Sequence, residues 1–202
     1  VAAAATSLER LRGSRLAGVR KAVWSACFGS SLYEAPWHWR DLRDQSVMIL
    51  GETGTGKELV AQTIGHANIW FHKTLGADAR AKRPAPDKAP LIAFNVAALS
   101  TSNAEGELFG WEKGAFTGAE RSRIGLVEAA HAGTIFMDEI GDISKELVPK
   151  LLRAIEEHEL IPFGGDADKP RHAYARWMTA TSRNIERLIA EGSFTEDLRR
   201  RL

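Results

Sequence analysis

Ser46-Val47-Met48-Ile49-Leu50, a short apolar run, leads into Gly51-Glu52-Thr53-Gly54-Thr55-Gly56-Lys57, and a helical pattern follows from about Gly56 to Trp70. The seven residues from Gly51 fit G-x-x-x-x-G-K and stand where that pattern has a mechanism, between a buried strand and a helix. Glycines let the backbone wrap a triphosphate so that its N–H groups point at the oxygens. The N-terminus of the helix adds the positive end of its dipole. Lys57 has the reach to meet the β- and γ-phosphates. A glycine-rich turn that merely contains a lysine is the alternative, and the flanking strand and helix disfavour it. Position 58 is Glu, not the Ser or Thr whose hydroxyl usually meets magnesium. A metal ion is then left to the nucleotide, to water, to Thr55 and to acidic residues elsewhere.

Those acidic residues come next. Thr134-Ile135-Phe136-Met137 is an apolar strand pattern that ends in Asp138-Glu139. In a parallel sheet the C-terminal ends of the strands line the ligand crevice. Asp138 is expected to face magnesium and Glu139 to polarise an attacking water. Leu91–Asn95 and Arg176–Thr181 are further strands. Helices are expected near 124–131, over Lys145–Glu157 with Leu147, Leu151, Leu152 and Ile155 on one face, and over Ile185–Ala190. Upstream, Leu8, Leu11, Leu16, Val19, Val23 and Phe28 recur at roughly helical spacing over residues 7–28. Residues 29–45 are irregular, and their Trp37 and Trp39 are expected to pack as cover. Residues 71–90 are polar and carry three prolines, which suits a surface insertion. Strands alternating with helices imply an α/β fold with a mostly parallel sheet flanked by helices.

Composition narrows the class. The 202 residues carry 27 basic and 26 acidic side chains, a formal net charge of +1. A dedicated nucleic-acid reader usually shows a basic excess. Cys27 is the single cysteine, so neither an internal disulfide nor a cysteine-built zinc site can form. No apolar run approaches the ~20 residues of a membrane span. Val1–Ala5 is apolar but lacks a basic region ahead of it, so it is not read as a signal peptide. A soluble, cytoplasmic protein is expected.

One segment stands apart. Glu107-Leu108-Phe109-Gly110-Trp111-Glu112-Lys113-Gly114-Ala115-Phe116-Thr117-Gly118-Ala119 places a Phe-Thr pair between glycines. Phe116 either sits exposed at a loop tip or folds back into the core as an anchor, and both remain open at this point.

Taken together, GETGTGKE, LIAFNVAAL, ELFG, GAFTGA, GTIFMDEIGD, KLLRAIEE and FTEDLRRRL occur in the order found in one family. The chain resembles the central AAA+ domain of bacterial enhancer-binding proteins, the activators of sigma-54 RNA polymerase. The resemblance covers about 46–202, less 71–90, with 1–45 as a helix and linker leading in. It implies a P-loop NTPase of AAA+ type, assembled as a ring, with a hexamer expected, that binds ATP and Mg2+. Lys57 resembles the family's phosphate-binding lysine, within a nucleotide-binding set of Gly51, Glu52, Thr53, Gly54, Thr55, Gly56, Lys57 and Glu58, and Glu58 is itself what the family shows. Asp138 and Glu139 resemble the magnesium and water-activating pair, with Thr55 a second metal contact. Asn95 matches an asparagine that hydrogen-bonds the catalytic glutamate. Gly114, Ala115, Phe116, Thr117, Gly118 and Ala119 match the loop whose Phe and Thr touch sigma-54. Glu159–Pro170 resembles the second loop that moves with it. Arg201 aligns with one of two arginine fingers.

The departures are specific. Thr195 stands where the family has its other finger, and a trans arginine is worth roughly 10³–10⁵ in rate. Arg199 and Arg200 are the candidate substitutes. Ser182, counted with the nucleotide-binding residues, replaces an asparagine expected near the γ-phosphate and is shorter. In the family a helical lid and a helix-turn-helix domain follow the finger region, and a regulatory domain precedes the core. The resemblance therefore implies that these residues are a piece of a longer activator, with the lid missing and no direct DNA binding by this segment. The implied function is ATP-dependent remodelling of the closed promoter complex held by sigma-54 RNA polymerase. Two alternatives are a nucleotide-binding regulatory or assembly module with weak or no hydrolysis, and a general P-loop ATPase with another target.

Overall fold

The computed structural model describes residues 17–28, 45–74, 90–99 and 103–202. Four strands form its sheet: β1 (Val47–Leu50), β2 (Leu91–Asn95), β5 (Thr134–Asp138) and β8 (Arg176–Thr181), in the order β1-β8-β5-β2. Every pairing is parallel. Leu50 sits opposite Thr181, and Asn95 opposite Asp138. The strands that carry the glycine loop and the acidic pair therefore flank β8, and their C-terminal ends open on one edge.

The two central strands are buried on both faces, as their apolar runs require. Alternation sorts their side chains. Ile135 and Met137 of β5 and Trp177 of β8 join one core with Leu108, Val127, Leu151 and Leu198. Phe136, Met178 and Ala180 point the other way, against Val23 and Cys27 of α1 (Ala17–Phe28) and Ala61 and Ile64 of α2 (Lys57–Thr74). Arg176, buried at the start of β8, donates to Ala26 O at 3.0 Å and to Gln45 O at 3.3 Å. It ties α1 to the sheet, and burial lowers its pKa to about 10. Burial likewise pushes the Cys27 thiol up to about 12, so it behaves as a small apolar side chain.

The strands over 91–95, 134–138 and 176–181 and the helix α6 (Ile185–Ala190) match their sequence expectations. Of the helix expected over 7–28, residues 7–16 lie outside the described residues, as do Pro36, Trp37 and Trp39. The helix after the glycine loop runs through Gly65 and on to Thr74. The expected insertion thus begins as helix, and residues 75–89 lie outside the described residues. The helix expected from Lys145 opens as a 3₁₀ turn, Lys145–Leu147, and becomes α5 (Val148–Glu156) at Pro149. Pro in a first turn is tolerated because its missing N–H has no intrahelical partner there. Near 124–131 only α4 (Leu126–Ala129) is helical.

Two hairpins were not expected. β3 (Gly110–Trp111) pairs with β4 (Arg123–Ile124), directly after α3 (Ala104–Phe109). β6 (Glu159–Leu160) pairs with β7 (Arg171–His172). Strands of two residues are too short to show an alternating pattern. The chain ends in α7 (Glu196–Arg201), packed on α5.

Candidate functional site

The glycine loop has the conformation its composition requires. Gly54 and Gly56 sit at φ +83° and +88°, where a Cβ is disfavoured. A Cβ at Gly51 would lie 2.9 Å from Thr55 Oγ1, so the loop closes tightly on itself. Lys57, buried at the start of α2, turns its ammonium back over the loop. Nζ donates to Gly51 O at 2.9 Å and to Glu52 O at 3.2 Å. Thr55 Oγ1 donates to Glu52 O at 2.8 Å and keeps its lone pairs for a cation. Glu58 faces along the helix and accepts from Gln62 Nε2 at 3.1 Å.

Across the loop, β5 ends in Asp138 and Glu139. Glu139 adopts a left-handed conformation, φ 52° and ψ 48°, a strain of about 1–2 kcal/mol for a residue with a Cβ. That turn aims its carboxylate at the end of β8. There Oε2 accepts from Ser182 N at 2.9 Å, and both oxygens lie 3.0 Å from Ser182 Oγ. Thr181 Oγ1 is 3.3 Å from Oε2, and Lys57 Nζ is 3.7 Å from Oε1. Burial pushes the Glu139 carboxyl up and is the largest single influence. The Ser182 N–H and hydroxyl, the Lys57 charge and the Thr181 hydroxyl together outweigh it and hold the carboxyl below its ordinary 4.5. Asp138 Oδ1 accepts from the Glu139 N–H at 3.0 Å. Among the described residues no three His, Cys, Asp or Glu side chains gather as a metal site. Asp138 and Thr55 suit a magnesium ion that brings most of its oxygens with a nucleotide.

Lys57, Glu139 and Ser182 are therefore brought together by three different elements. Asn95 is placed otherwise. It lies level with Asp138 in the sheet, but its Oδ1 accepts from Ala97 N at 2.8 Å and caps a 3₁₀ turn. The donors on the Glu139 carboxylate come from Thr181 and Ser182. Arg201, at the end of α7, pairs with Glu156 Oε1 at 2.6 Å, and Arg199 and Arg200 both lean on Glu196. Thr195 has a local task that the arginine expected there lacks. Its hydroxyl caps α7 by accepting from Leu198 N at 3.3 Å.

At the far end of α3, the β3–β4 hairpin presents residues 112–122 as a loop. Gly114 and Gly118 take φ +84° and +100°. Gly114 N donates to Ala119 O at 2.8 Å, and Ala119 N to Phe116 O at 3.0 Å. Ala119 is buried, while Thr117 is exposed. Phe116 is 43% exposed and stands outside the core, which decides between its two sequence alternatives. Its ring meets Trp111 edge-on at 5.6 Å and lies 6.5 Å from Phe163, itself 41% exposed. Phe163 belongs to the β6–β7 loop. Phe163 N donates to Gly110 O at 2.9 Å, and its carbonyl accepts from Glu112 N at 3.0 Å. Gly164, at φ +72°, leaves room for Ala115, since a Cβ there would come within 2.6 Å of Ala115 Cβ. Arg171 clips the base of both loops through Glu112 and, at 2.8 Å, through Glu128.

Thr181, Trp111, Phe163 and Arg171 were not singled out from the sequence. Phe163 carried a usable signal, an aromatic before a Gly-Gly pair in a polar segment, like Phe116 between its glycines. Arg171 carried none, because its partners are 43 and 59 residues away.

The comparisons with known proteins fit this geometry. The Nif-specific regulatory protein of Enterobacter agglomerans is 45% identical over 159 residues, 79% of this chain and 27% of that protein. The DNA-binding transcriptional regulator NtrC of Salmonella typhimurium is 44% identical over 158 residues, 78% of this chain and 30% of that protein. The chain thus spans under a third of the length of these relatives. The crystal structure of NtrX from Brucella abortus in complex with ADP superposes with a TM-score of 0.68 at 29% identity, over 98% of this chain and 36% of that one. The same protein in complex with ATP gives 0.65 at 30% identity, over 95% of this chain and 36% of that one. The model of the sigma-54 interaction domain matches residues 39–202. Glycine loop, acidic strand end and paired loops on a parallel P-loop AAA+ sheet thus come together in one assignment: the chain belongs to the sigma-54 interaction domain family.

Proposed function

We propose that this chain is the ATP-hydrolysing engine of a sigma-54-dependent activator, working as a ring of copies, with residues 46–202 as the working unit and 1–45 leading into it. The observation that carries this is the convergence of Lys57 and Glu139 at 3.7 Å beside a loop of positive-φ glycines, with Phe116 presented outside the core on a separate loop.

Each residue has a task that follows from its chemistry. The N–H groups of Gly51 to Gly56 and the start of α2 bind phosphate oxygens. Lys57 exchanges its carbonyl contacts for the β- and γ-phosphates and draws charge from the bond that breaks. Glu139 takes the proton of the attacking water and orients its oxygen. Asp138 and Thr55 would hold magnesium, which when bound would neutralise charge on the phosphates. Arg201, exposed and paired with Glu156, would leave that carboxylate to reach a neighbouring copy. Phe116 and Thr117 touch sigma-54, and the backbone bonds at Phe163 make the second loop travel with the first. In the full protein, that movement opens the closed promoter complex.

Thr195 as a helix cap and Arg201 in an ion pair favour a second reading, a nucleotide-binding module that hydrolyses little. A phosphate-release assay on the protein decides between them. The first requires turnover that Lys57→Ala removes. Tight ATP binding with no Lys57-dependent turnover would establish the second.

A further inference from the structure

We infer that Ser182 is the latch of Glu139: it pins the carboxylate against the end of β8 and releases it when nucleotide binds. Ser182 is a positioning residue here, not a phosphate ligand. The inference rests on the proposed ATP hydrolysis, but the contact itself is visible without it.

Three observations carry it. First, Ser182 addresses Glu139 twice, with its N–H at 2.9 Å and its hydroxyl at 3.0 Å from both carboxylate oxygens. A serine hydroxyl has a single proton, so it shuttles between the oxygens and holds whichever is presented. Second, the lone pairs needed to accept a proton from water are engaged. Oε2 faces Ser182 N, Ser182 Oγ and Thr181 Oγ1, while Oε1 faces Ser182 Oγ and Lys57. A carboxylate so surrounded must give up a donor before it can act as a base. Third, the turns that carry the two residues are stapled. Arg183 pairs with Asp142, Arg183 N donates to Thr181 Oγ1 at 3.1 Å, and a Cβ at Gly141 would lie 2.9 Å from Thr181 Oγ1. The segment after β5 and the segment after β8 thus meet without slack.

Asn95 accepts from Ala97 N through its Oδ1, and the hydrogen bonds to Glu139 come from Thr181 and Ser182. The strand that restrains the glutamate is β8, not β2. The shortness of Ser182 is what suits it, because a small side chain brings its own backbone N–H within reach of the carboxylate. Lys57 provides the release. When it turns from Gly51 O and Glu52 O toward phosphate, Oε1 keeps only the shared Ser182 hydroxyl, which can turn wholly to Oε2 and leave Oε1 free for water.

Two measurements test this on the protein. The amide proton resonance of Ser182, followed by NMR in 15N-labelled protein, should lie downfield because it donates to a carboxylate. Glu139→Ala should move it upfield. A non-hydrolysable ATP analogue should move it the same way in the wild type and scarcely at all in Glu139→Ala. A resonance indifferent to Glu139, or one that stays put when the analogue binds, overturns the latch. In binding, Ser182→Ala should tighten ATP affinity about three- to ten-fold, because nucleotide no longer has to break one restraining hydrogen bond. The kcat at saturating ATP should stay within about two-fold, because the latch is already open there. Ser182→Thr, which keeps the hydroxyl, should return the affinity toward the wild-type value. An unchanged affinity, a loss of affinity of about ten-fold or more, or a fall in kcat overturns the inference, the last two marking Ser182 as a phosphate ligand or a catalytic support. Should the wild type show no Lys57-dependent turnover, the hydrolysis reading fails while the Ser182 resonance still decides the latch.

Discussion

The nucleotide end of the sheet and the paired loops are held by different physics. At the first, side chains from α2, β5 and β8 converge, and their backbone positions are set by buried parallel strands. Lys57 is 8% exposed and Glu139 has donors on both oxygens. At the second, two hairpins of two-residue strands lean on each other through two backbone bonds, one aromatic cluster and the Arg171 clip. Phe116 and Phe163 each leave about two-fifths of their surface to solvent. The first region positions charge to a fraction of an ångström. The second keeps apolar groups open to solvent and can part at small cost.

Substitutions should expose that difference. The largest effect is expected at the nucleotide end. Lys57→Ala removes the cation from the glycine loop and should lower phosphate release by about 10² or more, in line with the loss of a preorganised charge-stabilising donor. Thermal unfolding should hardly change, since its partners are two loop carbonyls and one carboxylate that keeps its Ser182 donors. A Lys57→Ala protein that still turns over would dissolve the contrast between the two regions.

The loops should answer in stability instead. Gly164→Ala forces a side chain into φ +72° and against Ala115, at a cost of about 1–3 kcal/mol locally. The expected result is faster proteolysis within 112–122 and 162–170, with ATP affinity retained. Unchanged protection would show that the loops are not seated on each other.

The smallest effect concerns pH. Hydrogen bonds from Ser122 and from Arg171 hold the Glu112 carboxyl below its ordinary 4.5, against a modest push from burial. A carboxyl lowered on folding adds stability above its unfolded value and loses it as pH falls through the folded one. The difference in unfolding temperature between the wild type and Glu112→Gln should therefore be constant from neutral pH down to about 4.5 and shrink below that. A difference that vanishes already at pH 6 would remove the clip from the account.

Legibility in the sequence follows the same divide. The glycine loop, the Asp138-Glu139 strand end and the three strands that follow β1 were readable, because phosphate chemistry and buried parallel strands leave local patterns. Asn95 was placed on its strand, yet its side chain caps a turn. Its Oδ1 accepts from Ala97 N, a local contact that a strand pattern does not announce. Ser182 was noted for being short, but its bond to Glu139 spans 43 residues. The hairpins escaped notice since two residues carry no period, and the pairing of Phe116 with Phe163 depends on which loops the fold sets side by side. Thr195 read as a missing arginine and proves to be the cap of the helix that carries Arg201.

The proposed function joins the two regions: in it, nucleotide chemistry at Lys57 and Glu139 would drive the loop that bears Phe116 onto sigma-54. Co-elution of the protein with sigma-54 in the presence of an ATP transition-state analogue tests it most directly. The wild type should co-elute, whereas Lys57→Ala and Phe116→Ala should each elute apart from sigma-54. Retention of sigma-54 by Phe116→Ala, or by the wild type without any nucleotide, would contradict the account.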